Sequence, residues 1–347
     1  MTGSILVTGH LGYVGTVLTP QLAARDVEVM GCDIDLYRAC TVAAMPTALP
    51  ILKADFRDLE VDDLRDIDTL IHLAGLSNDP LGDLDHALTH AINHEAAARL
   101  AGLARSAGVR RFIAASSCSV YGAAGSGWLD ERSATAPLTA YAHAKFGLEQ
   151  ALQGEADRGL EVVIMRPGTV FGFSPRLRFD LVVNNLAAWA MTTGRLHLKS
   201  TGNAWRPLLH VNDLCRAIIA LAEAPADAVA GQIFNIGFNE LNLTVRELAA
   251  SLLAALPQAR LDIADDAEPD QRSYRVDCSR LDRLIPGWAP SRIPADVIDE
   301  LRPLIERGWL SAERFEGPAL SRVAHLHHRM KSGELDAELR DAARPAH

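Results

Sequence analysis

Short apolar runs rich in β-branched residues alternate with longer segments of helical periodicity through the first half of the chain. The apolar runs are SILVTG, VEVMGCD, DTLIHLAG, RRFIAASS and EVVIMRPG. Between them lie segments such as TVLTPQLAARD, ALTHAINHEAAARLAGLARSAG and AKFGLEQALQGEAD, in which apolar residues recur at helical spacing. Strands separated by helices of this length need right-handed crossovers, which place the strands in a parallel sheet. The pattern predicts a doubly wound α/β domain.

The pattern changes after Gly172, which indicates a second, smaller α/β lobe. A segment containing Arg and Phe, FSPRLRFDLVVNNLAAWAMTTG, is followed by a strand-like RLHLKS and a turn, TGN. RPLLHVNDL, CRAIIALAEAP and QIFNIG then predict a strand, a helix and a strand that return to the first sheet. A further helix is predicted to begin at a capping box formed by Thr244 and Glu247 and to end at Pro257. We expect the charged tail from Ser311 to be helical.

The composition limits the compartment and the partners. A chain of 347 residues, of which 48% are hydrophobic, can bury a sizeable core. Its net charge of -10 disfavours nucleic acid and membrane as partners, because phosphate groups are bound mainly by clustered Lys and Arg. The five cysteines are scattered without a CxxC pair, so we expect no disulfides, no metal site and a reducing, cytoplasmic compartment. The start, MTGSILVTGH, lacks the features of a signal peptide, and no apolar stretch is long enough to cross a bilayer.

Three glycines lie between the first predicted strand and the first helix. Gly9, Gly12 and Gly15 meet three demands: a tight turn, backbone close to a pyrophosphate, and close packing of helix on strand. The amides and the positive end of the helix then face the phosphates. The next strand ends at Asp33, where a carboxylate can bind a ribose 2′-hydroxyl, which favours NAD over NADP. Asp35 is a rival for this role, either carboxylate could simply cap the following turn, and the alternative for the whole motif is a Rossmann-like scaffold without a cofactor.

A tyrosine and a lysine follow the hydroxyl-rich stretch SSCSVYG. Tyr141 and Lys145, in YAHAK, are four residues apart and share one face of a predicted helix. Taken alone, such a pair is equally typical of surface packing. After a strand that ends in hydroxyl side chains, within a nucleotide-binding sheet, it predicts an acid/base site. An adjacent ammonium lowers the pKa of a phenol, and a tyrosine of that kind can exchange a proton with a sugar hydroxyl.

Several motifs occur together in an order that is typical of one family. They are TGHLGYVG, ADFRD, HLAG, SSCSVYG, YAHAK, RPGTVFG, WRPLLHVNDL and YRVDCSRL. In these motifs the chain resembles the extended short-chain dehydrogenases/reductases, in particular the nucleotide-sugar epimerases and dehydratases of the UDP-galactose 4-epimerase type. The resemblance implies NAD as cofactor, a nucleotide-diphosphate sugar as substrate and a homodimer formed through the helices that carry Asn93 and Tyr141. We further expect two domains. The Rossmann domain comprises residues 1–171 and is joined again by residues 206–236, and the substrate lobe with its tail comprises residues 172–205 and 237–347.

The resemblance also assigns roles to individual residues. Ser117 is the expected catalytic hydroxyl, Tyr141 the acid/base, and Lys145 the cation that lowers the pKa of the phenol and binds the ribose. The expected cofactor contacts are Gly9, Gly12, Tyr13, Val14, Gly15, Asp33, Asp55, Phe56, Leu73, Ala74, Gly75, Asn93, Tyr141, Lys145 and Pro167. The expected substrate contacts are Ser117, Ser119, Thr169, Asn185, Arg206, Asp270 and Arg272.

The residues after the catalytic hydroxyl bear on the reaction type. The similar 4,6-dehydratases carry an Asp and a Glu there, because elimination of water needs an additional acid and base, and the related decarboxylases carry the Glu. This chain has Cys118 and Ser119 at those positions. A pair of hydroxyls is typical of the 4-epimerases, so we expect an epimerase. A ketoreductase needs only the same three catalytic residues and is the nearest alternative; a dehydratase, a decarboxylase and a non-catalytic dinucleotide-sensing protein follow.

The substrate lobe matches the family pattern in part. Arg206, in WRPLLHVND, corresponds to an arginine that binds the pyrophosphate of the substrate, although a plain surface arginine beside a tryptophan is the alternative. Thr169 replaces a phosphate-binding Asn, and Ala267 replaces a second Arg. Other arginines that could supply the missing charge are Arg272, Arg275, Arg176 and Arg178.

Overall fold

Parallel strands flanked by helices form the first half of the molecule. The structure is a computed structural model that describes residues 3–123, 127–268, 270 and 272–342. The strands are β1 (Ser4–Thr8), β2 (Val29–Cys32), β3 (Ile67–His72), β4 (Arg111–Ala115), β5 (Trp128–Leu129), β6 (Glu161–Pro167), β7 (Thr169–Phe171), β8 (Arg195–Ser200), β9 (Trp205–His210), β10 (Gln232–Ile236), β11 (Asn242–Thr244), β12 (Arg260–Glu268) and β13 (Arg275–Val276). The helices are α1 (Gly15–Ala23), α2 (Asp79–Gly82), α3 (His86–His90), α4 (Ala97–Ala107), α5 (Ala140–Ala156), α6 (Val182–Thr193), α7 (Val211–Glu223), α8 (Ala226–Val229), α9 (Val245–Ala255), α10 (Ser279–Leu284), α11 (Val297–Glu306), α12 (Ala312–Glu316) and α13 (Arg322–Lys331).

The main sheet has the strand order β10-β6-β4-β3-β1-β2, and its neighbouring strands run parallel. From β1 the chain passes to β2 on one side and then crosses to β3 on the other, so the strand order reverses beside β1. Ligands of open α/β sheets bind at such a reversal, outside the carboxyl ends of the strands. The predicted doubly wound parallel sheet is therefore confirmed, and its topology already indicates where a ligand would lie.

Alternate residues of the strands supply two hydrophobic cores, one on each face of the sheet. Ile5 of β1 belongs to the core that also contains Leu18 of α1. Leu6, the next residue, belongs to the opposite core together with Leu100 of α4 and Leu148 of α5. Successive side chains of a strand point to opposite faces, and a parallel sheet covered by helices buries both. This explains why the strands are continuous apolar runs in the sequence.

The smaller lobe is built from short sheets. β9 pairs with β7 and β11, β8 pairs with β12, and β5 pairs with β13. A strand, a helix and a strand were predicted to return to the main sheet. The second strand, β10, does return, as the edge strand beside β6, whereas the first, β9, pairs with β7 and β11 outside the main sheet. The chain leaves the main sheet at Gly168, where a Cβ would lie 2.8 Å from the carbonyl oxygen of Pro207, so β7 departs from the sheet and pairs with β9. The division of the chain into two domains stays a prediction.

A capping box starts helix α9, as the sequence predicts. The Thr244 hydroxyl accepts a hydrogen bond from the Glu247 amide at 3.1 Å, and the Glu247 carboxylate accepts one from the Thr244 amide at 2.7 Å. The helix ends at Ala255, before Pro257. Strand β12, which follows it, was not predicted from the sequence.

The tail from Ser311 is helical in α12 and α13 but does not pack only on the substrate lobe. Leu326, Leu335 and Leu339 join the same core as Leu6, within the first domain. Apolar residues spaced along an otherwise charged segment therefore anchor the tail to the main sheet, whose last strand, β10, ends at Ile236. Across the described ranges, the helices are too short or too polar to span a membrane.

Candidate active site

A cavity of about 1040 Å³ lies outside the carboxyl ends of β1 and β3 and extends into the smaller lobe. Ligand pockets commonly measure roughly 300–1,000 Å³, so this one has room for a dinucleotide and a second molecule. The sequence-predicted residues that line it are Gly9, Gly12, Tyr13, Val14, Gly15, Asp33, Asp55, Phe56, Leu73, Ala74, Gly75, Ser117, Ser119, Tyr141, Lys145, Pro167, Thr169, Asn185, Arg206, Asp270 and Arg272. The fold thus brings residues from the whole length of the chain to one place.

The glycine turn between β1 and α1 forms one wall of the cavity. Gly9 has a φ of +78°, and a Cβ there would lie 2.7 Å from the amide nitrogen of Ala74. A Cβ at Gly15 would lie 2.4 Å from the carbonyl oxygen of Gly9. Both positions therefore require glycine. Because α1 begins at Gly15, its N-terminal amides border the cavity, which is the arrangement that binds phosphate groups.

The two candidate carboxylates after β2 have different surroundings. Asp33 accepts hydrogen bonds from the backbone amides of Leu11 at 2.9 Å and Asp35 at 2.8 Å, which fixes it beside the glycine turn. Asp35 is engaged by two arginines, Arg176 at 2.6 Å and Arg38 at 2.8 Å. The geometry therefore favours Asp33 as the carboxylate for a ribose, and the role of Asp35 is to hold these arginines.

Asn93 does not line the cavity, in contrast to its predicted role as a cofactor contact. It lies in a π-helical segment, Ala91–Ala96, that joins α3 to α4. Its side-chain amide donates to the carbonyl oxygen of Leu76 and accepts from the amide of the same residue, both at 2.8 Å. A Cβ at Gly75 would lie 2.6 Å from Asn93 Oδ1. Asn93 therefore supports the wall after β3 from behind.

The two hydroxyls predicted to be catalytic, those of Ser117 and Tyr141, lie at the start of two helical turns. Ser117 caps the 3₁₀ turn Cys118–Tyr121, and its hydroxyl accepts hydrogen bonds from the Ser119 amide at 3.1 Å and the Ser119 hydroxyl at 2.9 Å. Tyr141 lies in the first turn of α5, and both it and Ser117 line the cavity. Burial raises the pKa of the Tyr141 phenol to about 12, and the influence of the Ser117 hydroxyl only partly opposes the rise. The phenol is thus protonated at neutral pH.

Lys145 lies one turn after Tyr141 on α5. Its Nζ donates to the carbonyl oxygen of Ala115 at 2.8 Å and lies 5.9 Å from the centre of the Tyr141 ring. Burial lowers the pKa of Lys145 to about 8, and the charge of Glu149 opposes this. Burial is the largest influence on the pKa of Tyr141 and raises it overall, and the expectation that Lys145 lowers this pKa stays a prediction. The ammonium is held by the end of β4.

Two arginines and two carboxylates form the far end of the cavity. Arg206 pairs with Asp270 at 2.5 Å and donates to the carbonyl oxygen of Trp205 at 2.8 Å. Arg272 pairs with the same Asp270 at 2.9 Å and with Asp79 of α2 at 2.7 Å. This cluster links the smaller lobe to the first domain and presents two guanidinium groups to the cavity.

The other arginines considered from the sequence lie elsewhere. Arg275 stacks against Trp128 and Trp205, with its guanidinium carbon 5.4 and 5.1 Å from the ring centres. It is not among the described residues that line the cavity, so Arg272 is the better candidate to replace the arginine that is missing at position 267.

Arg176 and Arg178 lie on the cofactor side of the cavity rather than at the substrate end. Arg178 donates to the hydroxyl of Ser77 at 2.9 Å and pairs with Asp180 at 2.7 Å, while Arg176 reaches Asp35. Both guanidinium groups are already paired with carboxylates, and the hypothesis that they supply charge to the substrate phosphates stays a prediction. They are fixed there because the chain between β7 and α6 crosses over the end of β2.

The family model of the NAD dependent epimerase/dehydratase family matches residues 5–237, about two thirds of the chain. The chain belongs to this family. Family members are enzymes that depend on NAD, so the predicted cofactor and the predicted enzyme class at this coarse level are confirmed.

Individual relatives of this NAD-dependent enzyme carry different activities. It is 29% identical to a dTDP-glucose 4,6-dehydratase from Streptomyces griseus, over 90% of this chain and 96% of the relative. It is 27% identical to a UDP-glucose 4-epimerase from Azospirillum brasilense, over 85% of this chain and 89% of the relative. The structure of MoeE5 in complex with UDP-glucose and NAD superimposes with a TM-score of 0.74 at 27% identity, covering 88% of this chain and 99% of that one. Other relatives are reductases, so the family does not fix the reaction.

The site fits NAD on three structural grounds. The glycine turn brings backbone close to the cavity, Asp33 stands beside it, and the walls formed by Leu73, Ala74 and Phe56 provide apolar surfaces for the rings. The residues that would hold the cofactor are therefore present together. When bound, NAD supplies a carbon that accepts a hydride.

A buried ion pair behind the active site was not predicted from the sequence. Arg166 of β6 and Glu149 of α5 pair at 2.6 Å, and each side chain is 4% exposed. Glu149 also accepts a hydrogen bond from Ser116 at 2.5 Å, and Arg166 donates to the hydroxyl of Tyr121 at 3.0 Å. The pair thus ties α5 to the strand end that carries Ser117. The sequence feature that could have predicted this pair is the position of Glu149, one helical turn after Lys145 on the face of α5 that packs against the sheet.

We expect the activity of this NAD-dependent enzyme to fall as pH rises through about 8, because Lys145 then loses its proton. A lysine whose pKa is lowered by burial is charged below that pKa and neutral above it, so the pH profile of the activity should have a descending limb on its alkaline side. The measurement is kcat/KM as a function of pH. The matched variant is Lys145→Arg, whose residual activity should lack this limb because a guanidinium stays protonated. A limb that persists unchanged in the variant would assign the titration to another group.

Proposed function

We propose that this enzyme is a nucleotide-sugar epimerase that oxidises a sugar carbon transiently and returns the hydride to the opposite face. The observation that carries the proposal is the hydrogen bond between the hydroxyls of Ser117 and Ser119, 2.9 Å long. Cys118 between them points into the core, where its thiol lies 3.1 Å from the carbonyl oxygen of Arg166. Position 119 therefore offers a hydroxyl to a substrate, and neither position 118 nor position 119 offers a carboxylate, which supports redox chemistry at one carbon over elimination of water.

Each residue of the set has a defined task in this proposal. Ser117 donates a hydrogen bond to the reacting sugar oxygen. Tyr141, in its deprotonated form, takes the proton of the sugar hydroxyl as the carbon is oxidised. Tyr141 gives the proton back when the ketone is reduced on its other face. Lys145 is held at 2.8 Å by the Ala115 carbonyl, and its charge stabilises negative charge that develops on the phenol. NAD supplies the hydride acceptor, and its reduced form is used again within the same turnover.

The proposed substrate class is a nucleoside-diphosphate sugar. Arg206 and Arg272 present two guanidinium groups at the far end of the cavity, and guanidinium groups bind phosphate oxygens in pairs. His197 and Leu198 of β8 line the same region and provide a surface for the nucleotide base. The homodimer expected through the helices that carry Asn93 and Tyr141 stays a prediction.

Incubation with a panel of nucleotide sugars tests the reaction. We expect a product that differs from the substrate only in the configuration of one carbon, with no net change in the absorbance of NADH. Stoichiometric consumption of NADH would instead show a ketoreductase, and a product lighter by one water or one carbon dioxide would show a dehydratase or a decarboxylase. Binding of nucleotide without any conversion across the panel would favour the non-catalytic alternative.

Arg206→Lys should raise KM for the nucleotide sugar by roughly 10- to 100-fold and change kcat little, because a charge-assisted, two-pronged contact with phosphate is lost. Steady-state kinetics of the variant measures both constants. Arg195→Lys, at an exposed position of the same lobe, is the matched control and should leave both unchanged. An unchanged KM for Arg206→Lys would return this arginine to a structural role beside Asp270.

A further inference from the structure

The C-terminal segment covers one side of the cofactor cleft. We call residues 311–342 the C-terminal clasp. His325 Nε2 lies 3.1 Å from the carbonyl oxygen of Leu36, and Arg329 donates to the same oxygen at 2.9 Å. Further along, Arg340 pairs with Asp58 at 2.8 Å. The clasp is therefore fastened to the loop after β2, which is the ribose side of the site.

Residues of the clasp also line the cavity itself. They include Ser321, Arg322, Val323 and Leu339, which share the cavity with the glycine turn. Leu339 belongs at the same time to the core of the first domain. The clasp thus forms part of the wall of the cofactor cleft and is not merely attached to the protein surface.

Arg322 is a buried cation with spare hydrogen-bonding capacity. It is 4% exposed, and its guanidinium carbon lies 4.3 Å from the centre of the Tyr37 ring. One terminal nitrogen donates to the carbonyl oxygen of Arg176 at 3.1 Å, but Nε has no hydrogen-bond partner among the residues that the structure describes. A buried charge without a counter-charge is costly unless a ligand supplies one.

The neighbouring charges leave Arg322 unbalanced. Arg176 pairs with Asp35 and Arg178 pairs with Asp180. Within the described part of the chain, Arg322 forms no ion pair of this kind. Burial and the charge of Arg178 lower the pKa of Arg322, and the charge of Asp180, which is paired with Arg178, only partly opposes this.

The same charges reach the glycine turn. Burial raises the pKa of the Tyr13 phenol, and the charges of Arg178 and Arg322 both oppose this rise. Tyr13 lies between Gly12 and Gly15, where the amides that begin α1 are suited to an anion. Arg178, Arg322 and the glycine turn that precedes α1 line the same cavity.

We propose that Arg322 binds the diphosphate of NAD, so that the C-terminal clasp holds the cofactor in its cleft. The diphosphate is the anion that the glycine turn binds, and Arg322 adds to it a contact from an element outside the nucleotide-binding sheet. This inference rests on the NAD dependence of the family and not on the proposed epimerisation. It predicts an enzyme that keeps its cofactor between turnovers.

Binding of cofactor fragments to nucleotide-free protein tests the proposal without any assay of activity. Dissociation constants for NAD, ADP-ribose and adenosine are compared between the wild type and Arg322→Gln. We expect NAD and ADP-ribose, which carry the diphosphate, to bind more weakly by the same factor, roughly 10- to 100-fold, while adenosine binds equally well to both proteins. Lys331→Gln removes one charge from an exposed position of the same helix and should change none of the constants.

Two results would overturn the assignment. They are equal affinity of both proteins for NAD, and a loss of affinity for adenosine equal to that for NAD. Because Arg322→Gln changes a buried side chain, the wild type provides a second measurement that does not depend on the folding of the variant. Hydrogen exchange of the α13 amides should be slowed by ADP-ribose and much less by adenosine, and equal slowing by the two would contradict a diphosphate contact.

Discussion

Tyr141→Phe is expected to lower kcat by roughly 10²- to 10⁴-fold, the range that proton transfer by a positioned side chain contributes. In the proposed reaction the Tyr141 phenol, which lines the cavity together with Ser117, takes a proton from the sugar oxygen and returns it. The phenylalanine ring fills the same space and preserves the packing against Gly82, where a Cβ would lie only 2.8 Å from that of Tyr141. NAD affinity should therefore remain close to that of the wild type.

Two measurements separate catalysis from structure in this variant. Single-turnover kinetics with the best nucleotide sugar reports the chemical step, and the dissociation constant of NAD reports whether the cleft is intact. His143→Gln is the matched control, because His143 lies on the same turn of α5 but faces solvent. A Tyr141→Phe enzyme with an undiminished chemical step would show that the proton moves through another group.

Arg166→Leu is expected to cost about 3–5 kcal/mol of the free energy of unfolding, because it leaves Glu149 buried without its partner. Burial disfavours the charged form of Arg166, but its hydrogen bond and ion pair with Glu149 outweigh this and raise its pKa. The pair joins α5 to β6, and Ser116 bonds to the same carboxylate, so the loss should also loosen the strand end beside Ser117. Urea unfolding of nucleotide-free protein measures the free energy.

A double variant distinguishes the pair from the individual side chains. Glu149→Leu combined with Arg166→Leu removes both charges, and it should be considerably more stable than either single variant because no lone charge remains buried. Asp299→Asn is the matched control for an exposed pair, since Arg302 and Asp299 are 2.7 Å apart but 50% and 81% exposed, and it should have little effect. If the loss of unfolding free energy in the double variant equals the sum of the losses in the two single variants, the two charges do not depend on each other.

The order of strands and helices was readable from the sequence because it depends on local periodicity. Alternating apolar runs and helical segments predicted the parallel sheet, and the capping box at Thr244 and Glu247 marked the start of α9 correctly. The glycine turn was equally readable, since a positive φ and the close approach of Ala74 to Gly9 can be met only without a side chain. The lining of the cleft by Ser117, Tyr141 and Lys145 followed from the order of the motifs.

Contacts between distant parts of the chain decided the rest. The role of Asn93 depends on its hydrogen bonds to the backbone of Leu76. The choice of Arg272 over Arg275 depends on which of the two side chains lines the cavity. The high pKa of Tyr141 comes from burial, which no spacing of residues reports.

By itself, the sequence determined the sheet, the phosphate turn and the acid/base set of this enzyme, because each depends on residues within a strand, a turn or one helical face. Only the tertiary structure paired Glu149 with Arg166 and brought the clasp, with Arg322, back over the cofactor cleft. Such pairings depend on how separate elements pack. Burial and charge balance act across the fold, and neither leaves a periodic pattern in the chain.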